Sequence, residues 1–152
     1  MSSKKNHWII RVGDGYNFRN SIYPFWGVKK APGSMVKKFK EKDILWFCVN
    51  KGSGGIIIGM AEYTHFYNRT NEPLLQINTY SNEEQGWLGE EDWTIQIHYQ
   101  NLFLTEKQQI PLCIRHAGVI LKYETFKEKI KDDLEKHYEN FCYYSKPDKF
   151  KI

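Results

Sequence analysis

The sequence predicts a single α+β domain, built on a mixed or antiparallel curved sheet of about five to six short strands. Three observations lead to this fold class. A chain of 152 residues suits one domain with its own core. Short apolar runs bounded by turn residues recur through the first two thirds of the chain. A long helical period appears only near the C-terminus, which predicts one long helix beside one or two short ones.

Strand signals recur from residue 7 to residue 114. The runs are rich in β-branched and aromatic residues, and Gly, Pro, Asn or Ser bounds them. Residues 93–99 alternate strictly, with Trp93, Ile95, Ile97 and Tyr99 on one face, as in a half-buried strand. The predicted strands are 7–12, 25–28, 44–49, 56–63 and 93–99, with shorter candidates at 74–77 and 110–114.

Helix signals are fewer. Ser34 is placed to cap a short helix over 35–39 that turns lysines outward. Thr125 and Glu128 form a capping-box pattern at the start of a long helix over 125–141. The apolar face of that helix is formed by Phe126, Ile130, Leu134, Tyr138 and Phe141. The polar segments 16–24, 81–86 and 101–109 are predicted to be connections.

The domain is predicted to span residues 7–141, between a flexible basic tail at 1–6 and a basic C-terminal tail at 142–152. No secretory signal is recognised, and no apolar run approaches the roughly 18 residues of a membrane span. The three cysteines lack metal or disulfide spacing. We therefore expect a cytoplasmic monomer that does not contact membranes, with a nuclear location as the alternative in a eukaryotic or viral setting.

Positive charge is concentrated in the first third of the chain. The whole sequence carries a net charge of +4, and residues 1–51 hold eleven Lys or Arg against three acids, which gives +8 there. The remainder therefore sums to −4. This asymmetry indicates a polyanionic partner, and a solvated lysine-rich surface is the alternative interpretation.

Signals for catalysis are weak. The sequence contains no Gly-x-Ser-x-Gly, no HExxH and no phosphate-loop pattern. The glycine-rich stretch 50–55 lacks the lysine-threonine end of a phosphate loop and leads into a strand. The histidines are scattered, although His65 and His98 could meet in space, and the acidic run 90–92 suits a solvated turn. We therefore expect no catalytic residue, no metal and no cofactor.

Aromatic residues form the more informative set. Trp26 and Trp87 each stand beside glycine in a loop-like context, whereas Trp8, Trp46 and Trp93 lie in predicted strands with apolar neighbours. Two loop tryptophans that face each other could sandwich a flat base, which stabilises a complex by about 1–3 kcal/mol per base. The alternative is that each indole covers the core.

The sequence resembles the YTH and EVE domains in four segments, which follow one another in the order HWIIRV, FWGV, ILWFCVN and GIIIGMAEY. WFCVNKGSGGIIIGMAEY is similar to the YTH strand–turn–strand pattern that ends in Gly-x-Ala-Glu. FWGVKK resembles the YTH Ile-Trp segment and the EVE Trp-x-Gly-Val-Arg segment. GWLGEEDWTIQIHY resembles the second tryptophan region of YTH domains, with a different spacing before Trp93. The resemblance implies a PUA-like fold, a curved sheet or small barrel decorated with helices.

The resemblance also implies a non-catalytic reader of a modified base in RNA or DNA, such as N6-methyladenosine, flipped into an aromatic pocket. Trp26 and Trp87 would form the walls, and Leu88 or Trp93 a third side. The candidates for the remaining contacts are Asp14 or Asn17 at the base edge, Asn50 at the pocket mouth, and Lys29, Lys30, Lys37, Lys38 and Lys40 on phosphates.

The sequence departs from both families in places. Gly86 stands where YTH domains carry a lysine, and Lys29-Lys30-Ala31 replaces the Asn-Tyr-Gln type sequence of EVE domains. Two other functions remain open. One is a small nuclease or hydrolase that uses a pair such as Asp14 and His98. The other is a protein-interaction module that uses a sheet edge or the C-terminal tail.

Overall fold

A computed structural model of the chain describes residues 6–29, 34–50, 55–68, 81–89, 93–104 and 120–122, together with residues 132, 135 and 136. The strands in the described ranges are β1 His7–Arg11, β2 Phe25–Val28, β3 Ile44–Cys48, β4 Ile57–Asn68, β5 Ile95–Leu104 and β6 Ile120–Lys122. The helices there are α1 Tyr16–Asn20, a 3₁₀ helix Ser34–Lys38 and α2 Asn82–Gln85.

The strands form one mixed sheet in the order β2-β5-β4-β3-β1-β6. β1 and β3 pair in parallel, and the other neighbours pair in antiparallel fashion. Register shifts interrupt the β3–β4 and β4–β5 pairings, and such irregularities bend and twist a sheet. The predicted α+β fold on a curved mixed sheet is confirmed.

The core lies where α1 and the 3₁₀ helix pack on the sheet. Phe18 of α1 stacks on Phe47 of β3 with ring centroids 4.3 Å apart. It also fills the space above Gly59, where an added Cβ would meet the Phe18 ring at 3.0 Å. The predicted core residues Trp8 and Trp46 are both buried.

Three predictions about connections are wrong. Segment 16–24 contains α1, and segment 81–86 contains α2. The connection predicted to begin at residue 101 is strand instead, because β4 and β5 form a long hairpin in which Gly59 pairs with Leu104 and Asn68 with Ile95. Strand β6 was not predicted, and its three residues pair with β1.

Several predictions fall outside the described residues. These are the candidate strands 74–77 and 110–114 and the tails 1–5 and 142–152. Within the predicted helix 125–141, the structure describes Asp132, Glu135 and Lys136, and all three are helical. In the part of the chain that the structure describes, no helix combines the length and apolar character needed to cross a membrane.

Candidate nucleic-acid interface

Trp26 and Trp87 are brought together, and we name them with Asn17, Ser21 and Leu88 the tryptophan corner. Trp26 lies in β2, an edge strand of the described sheet, which confirms the strand predicted over 25–28, although its glycine neighbour had suggested a loop-like context. The two indoles meet edge to face, with centroids 5.1 Å apart and planes at 62°. Both are buried, with 7% and 6% of their surface exposed.

This geometry differs from the predicted sandwich. A base between two parallel rings needs about 7 Å between them, since each stacking contact takes about 3.5 Å. The indole rings of Trp26 and Trp87 instead touch each other. The expectation that they face each other across a gap is therefore wrong for this arrangement, in which the corner is closed.

The helix α2 sets the position of Trp87. Ser81 and Glu84 form a capping box at the start of α2, with both hydrogen bonds present. Gly86 ends the helix in the left-handed region, with φ of 85°. A side chain at that position would come within 2.7 Å of the carbonyl oxygen of Asn20, so glycine also permits close packing against α1. Trp87 follows directly.

Gln85 fastens α2 to the segment that leads into β2. Its side chain is fully buried. The amide nitrogen donates to the carbonyls of Tyr23 at 2.8 Å and Phe25 at 3.1 Å. The amide oxygen accepts from the backbone N–H of Tyr23 at 2.7 Å. A buried amide with satisfied hydrogen bonds fixes one relative placement of two segments, and here it places Trp87 against β2.

Ser21 and Asn17 hold the tryptophan corner closed. The Nε1 of Trp87 donates to the Ser21 hydroxyl at 2.8 Å, and that hydroxyl donates to the carbonyl of Asn17 at 2.8 Å. The Asn17 side chain accepts from the N–H of Leu88 at 2.8 Å and donates to its carbonyl at 3.2 Å. The Asn17 amide thus clamps the Leu88 backbone, while the Leu88 side chain is 66% exposed.

The other predicted base-contacting residues lie at the same end of β1 and β3. Asp14 is exposed, and its Oδ1 accepts from the backbone N–H of Tyr16 at 2.9 Å. Asn50 is exposed, and its N–H donates to the carbonyl of Gly13 at 2.7 Å. The turn that carries Asp14 leads directly into α1 and therefore to Asn17.

The predicted phosphate-binding lysines are not gathered at that end. Lys37, Lys38 and Lys40 are exposed on and after the 3₁₀ helix. Phe39, between them, packs on Trp8 at the start of β1, with ring centroids 4.7 Å apart. The five residues of β1 span about 16 Å at roughly 3.3 Å each, so these lysines lie at the far end of β1 from Asp14. Lys29 is exposed after β2, and Lys30 is outside the described residues.

A second aromatic feature contains His65 and His98, and the expectation that these two could meet in space is confirmed, whereas their stacking with Phe25 was not predicted. Phe25, His98 and His65 stack across three neighbouring strands, and we call them the histidine ladder. Phe25 and His98 have centroids 5.3 Å apart, and His98 and His65 have centroids 4.6 Å apart with planes at 11°. Tyr67 stands nearly perpendicular to both imidazoles. Only the register of β2, β5 and β4 brings these residues together.

The imidazoles of the ladder are neutral near pH 7. Burial, and to a smaller extent the neighbouring His65, lower the pKa of His98 to about 4. Burial also lowers the pKa of His65. The nitrogen lone pairs of two stacked rings lie in parallel planes, so they do not converge on one ion. Among the described residues, no three metal-ligating side chains come together.

The catalytic pair considered from the sequence is not assembled. Asp14 binds its own turn, whereas His98 lies within the ladder, and no hydrogen bond joins the two. The Nε2 of His98 is buried and has no hydrogen-bond partner. Burial raises the pKa of the Cys48 thiol to about 11, partly offset by Arg11, which keeps this thiol protonated.

Comparisons with known proteins add a fold relationship. No protein family model matches the sequence, and no curated protein matches it. A hypothetical protein from Leishmania major aligns over 90% of this chain and 96% of its own, with 10% identity and a TM-score of 0.53. The YTH domain of the Zygosaccharomyces rouxii MRB1 protein, solved in complex with N6-methyladenosine RNA, aligns over 90% of this chain and 88% of its own. Its identity is 10% and its TM-score 0.52. The chain has a YTH-like fold.

Proposed function

We propose that this protein is a non-catalytic reader of a modified base in nucleic acid and that the base binds at the tryptophan corner. The observation that carries the proposal is the meeting of Trp26 and Trp87 next to exposed polar and apolar groups at one end of the sheet. A solved YTH domain of similar fold binds N6-methyladenosine RNA, which supports the same class of ligand here.

The rim of the corner offers apolar surface to a base. Leu88 is 66% exposed and Tyr16 is 47% exposed, and both flank Asn17. A contiguous exposed apolar patch, unlike a single exposed side chain, often marks a binding site. A flat base carrying a methyl group would bury area against them and against the indole faces. Asp14 presents an exposed carboxylate that can accept from an exocyclic amine.

Base entry requires the closed corner to open. Trp87 and Leu88 lie between Gly86 and Gly89, and both glycines are in the left-handed region, with φ of 85° and 95°. Rotation of the Trp87 ring would break its hydrogen bond to Ser21 and separate it from Trp26. The clamp of Asn17 on Leu88 would keep the backbone in place while the ring moves. The opened indoles would then form the two walls of a base site.

The test is a binding panel of single-stranded RNA and DNA oligonucleotides. The panel carries N6-methyladenine, 5-methylcytosine, 5-hydroxymethylcytosine or no modification. We expect the wild type to prefer one modified strand and to leave every strand intact. Trp26→Ala and Trp87→Ala should abolish the preference by removing a stacking wall worth about 1–3 kcal/mol, or roughly fivefold or more in affinity.

The controls address folding, because both indoles are buried. Trp26→Phe and Trp87→Phe retain a flat ring and should retain part of the preference, while circular dichroism reports whether each variant is folded. Equal affinity of the wild type for modified and plain strands would refute the proposal. Turnover of a strand would refute its non-catalytic part.

A further inference from the structure

We propose a second subsite at the outer end of the histidine ladder, where an unmodified base of a single strand stacks on His65 beside Tyr67. Lys40 and Lys42, in the turn before β3, would hold the adjacent phosphates. This subsite deepens the proposed function, and it rests on that function for the class of ligand.

The His65 ring is presented as a flat platform. One face of it stacks on His98, and Tyr67 stands beside it at 79° with centroids 5.0 Å apart. Among the described residues, backbone pairing on the β3 side of β4 reaches Tyr63, whose N–H donates to Asp43 and whose carbonyl accepts from Lys42. No described strand covers that side beyond this point, and His65 is exposed. A flat ring with a perpendicular wall is open to a base.

The platform is held in place before any ligand arrives. His65 is fixed by the stack on His98 and by a hydrogen-bonding contact of 3.0 Å between its Nδ1 and the Thr64 hydroxyl. A ring whose rotamer is already fixed loses little entropy on binding. One face of the imidazole is covered by His98, and this partial burial lowers its pKa, so the ring is neutral near pH 7 and can stack as an uncharged aromatic group.

A turn that carries exposed lysines is hydrogen-bonded to β4 two residues before this platform. The backbone N–H of Lys42 donates to the carbonyl of Tyr63 at 2.8 Å, two residues before His65. Glu41 is an exposed acid in the same segment, whereas Asp43 is buried and accepts from the Trp8 indole. The exposed cations of this segment are Lys37, Lys38, Lys40 and Lys42.

Flat aromatic rings combined with a basic surface are typical of sites for single-stranded nucleic acid. An acidic protein would use the lysines but would have no need of a stacking face. Of the lysines that the sequence assigned to phosphates, Lys40 lies in the turn that pairs with β4 near this subsite, and it is not at the tryptophan corner.

One strand could reach both sites. The distance between ring centroids is 5.4 Å from Trp87 to Phe25, 5.3 Å from Phe25 to His98 and 4.6 Å from His98 to His65. The two sites are therefore no more than about 15 Å apart, which lies within the roughly four or more nucleotides that a single-strand site covers. The ladder itself forms the connection between the corner and the platform.

The experiment compares ligands of two lengths. Dissociation constants are measured for a single-stranded oligonucleotide of about ten nucleotides, modified and plain, and for the modified nucleoside alone. His65→Ala and Tyr67→Ala should each weaken both oligonucleotides by at least about fivefold, leaving the nucleoside and the modified-to-plain ratio unchanged. His65→Phe keeps a flat ring and should bind within about twofold of the wild type.

Salt dependence tests the lysines separately. Lys40→Gln combined with Lys42→Gln should reduce the slope of log affinity against log salt by about 1.4, since each phosphate contact on a single strand contributes about 0.7. Glutamine is chosen because Lys42 has φ of 73°, and another non-glycine residue leaves that backbone strain unchanged.

The outcomes separate the two proposals. If His65→Ala and Tyr67→Ala leave oligonucleotide affinity unchanged while the modified strand is still preferred, the subsite is refuted and the reader stands. If these variants lose affinity but the wild type shows no preference, the reader is refuted and the subsite stands. If the wild type binds no strand, both are refuted, and an acidic protein becomes the partner to seek.

Discussion

The closed state of the tryptophan corner depends on one buried hydroxyl, which makes Ser21→Ala the most informative substitution. Ser21 is 4% exposed, and its Oγ accepts from the Trp87 indole at 2.8 Å. Alanine fits the same space but leaves the indole N–H of a buried tryptophan without its partner. Because the N–H can no longer reach an acceptor in the closed state, the closed state should lose stability.

A buried donor left unsatisfied costs about 1–3 kcal/mol. For a chain of this length, each kcal/mol lowers the melting temperature by about 2–4 °C. In a Trp87→Phe background the N–H is already absent, so Ser21→Ala should cost less there. The coupling free energy between the two substitutions is therefore expected to be about 1 kcal/mol or more.

Urea denaturation of the wild type, the two single variants and the double variant gives this coupling directly. Ile22→Ala is the matched control, because Ile22 adjoins Ser21 but is 52% exposed, and it should change stability by less than about 0.5 kcal/mol. Additive effects of the Ser21 and Trp87 substitutions would refute the hydrogen bond as a stabilising element.

The Ser21→Ala variant also tests whether the tryptophan corner must open before a base binds. If the ligand needs the open corner, a loss of 1 kcal/mol from the closed state should tighten nucleoside binding by up to about fivefold. Weaker binding of the nucleoside to folded Ser21→Ala would contradict the opening step and would point to a direct contact between the hydroxyl and the base.

Two further predictions concern stability. Gly27→Ala would bring a Cβ within 2.4 Å of the Cβ of Trp93, so it should destabilise by about 1–3 kcal/mol or more. Gly59→Ala should cost less, because its nearest atom, in the Phe18 ring, is 3.0 Å away. Thermal denaturation of both variants checks the order, and equal costs would contradict the packing at Gly27. The pKa of His98 is lowered from 6.5 to about 4 in the folded state. As the pH falls from 6.5 to 4, His98 therefore binds a proton in the unfolded state but not in the folded state. Stability should therefore fall by about 1.4 kcal/mol per pH unit, roughly 3 kcal/mol in all, and His98→Leu should lack this part of the pH dependence in urea titrations at pH 7 and pH 4.5.

Local patterns in the sequence were sufficient to predict most of the sheet. The runs at β1 and β3 are continuous and apolar, because those strands are buried in the centre of the described sheet. The far half of β4 is harder to predict, because it carries polar and aromatic residues and is stabilised by pairing with β5. The helix α2 has only four residues and no apolar stripe, although its capping box at Ser81 and Glu84 was a readable signal.

The proximity of Trp26 and Trp87 was predictable from the sequence, but the geometry of their contact was not. Glycine neighbours correctly paired Trp26 with Trp87, but the closed contact depends on Ser21, which lies 66 residues before Trp87. Gln85, whose buried amide positions the corner, has no local signature, since an isolated glutamine in a polar segment is usually exposed. Long-range hydrogen bonds of this kind leave no periodic trace in a sequence.

The positions of the acidic and basic residues relative to the sheet follow from the strand topology. Since β1 and β3 run in parallel, the turns after them meet at one end of the sheet and carry Asp14 and Asn50, while the lysine segment precedes β3 at the other end. The residues that contact the base edge and the phosphate of one nucleotide would have to lie within a few ångströms of each other. In this fold, Asp14 and the lysine segment are instead separated by the length of a β-strand. A nucleic-acid strand of several nucleotides resolves the conflict, because the hairpin of β4 and β5 extends past the start of β3 and carries the histidine ladder, which leads from that end to Phe25 beside Trp87. Substitution of the lysines should therefore weaken modified and plain strands equally, and a selective loss for the modified strand would show that they contact the recognised nucleotide itself.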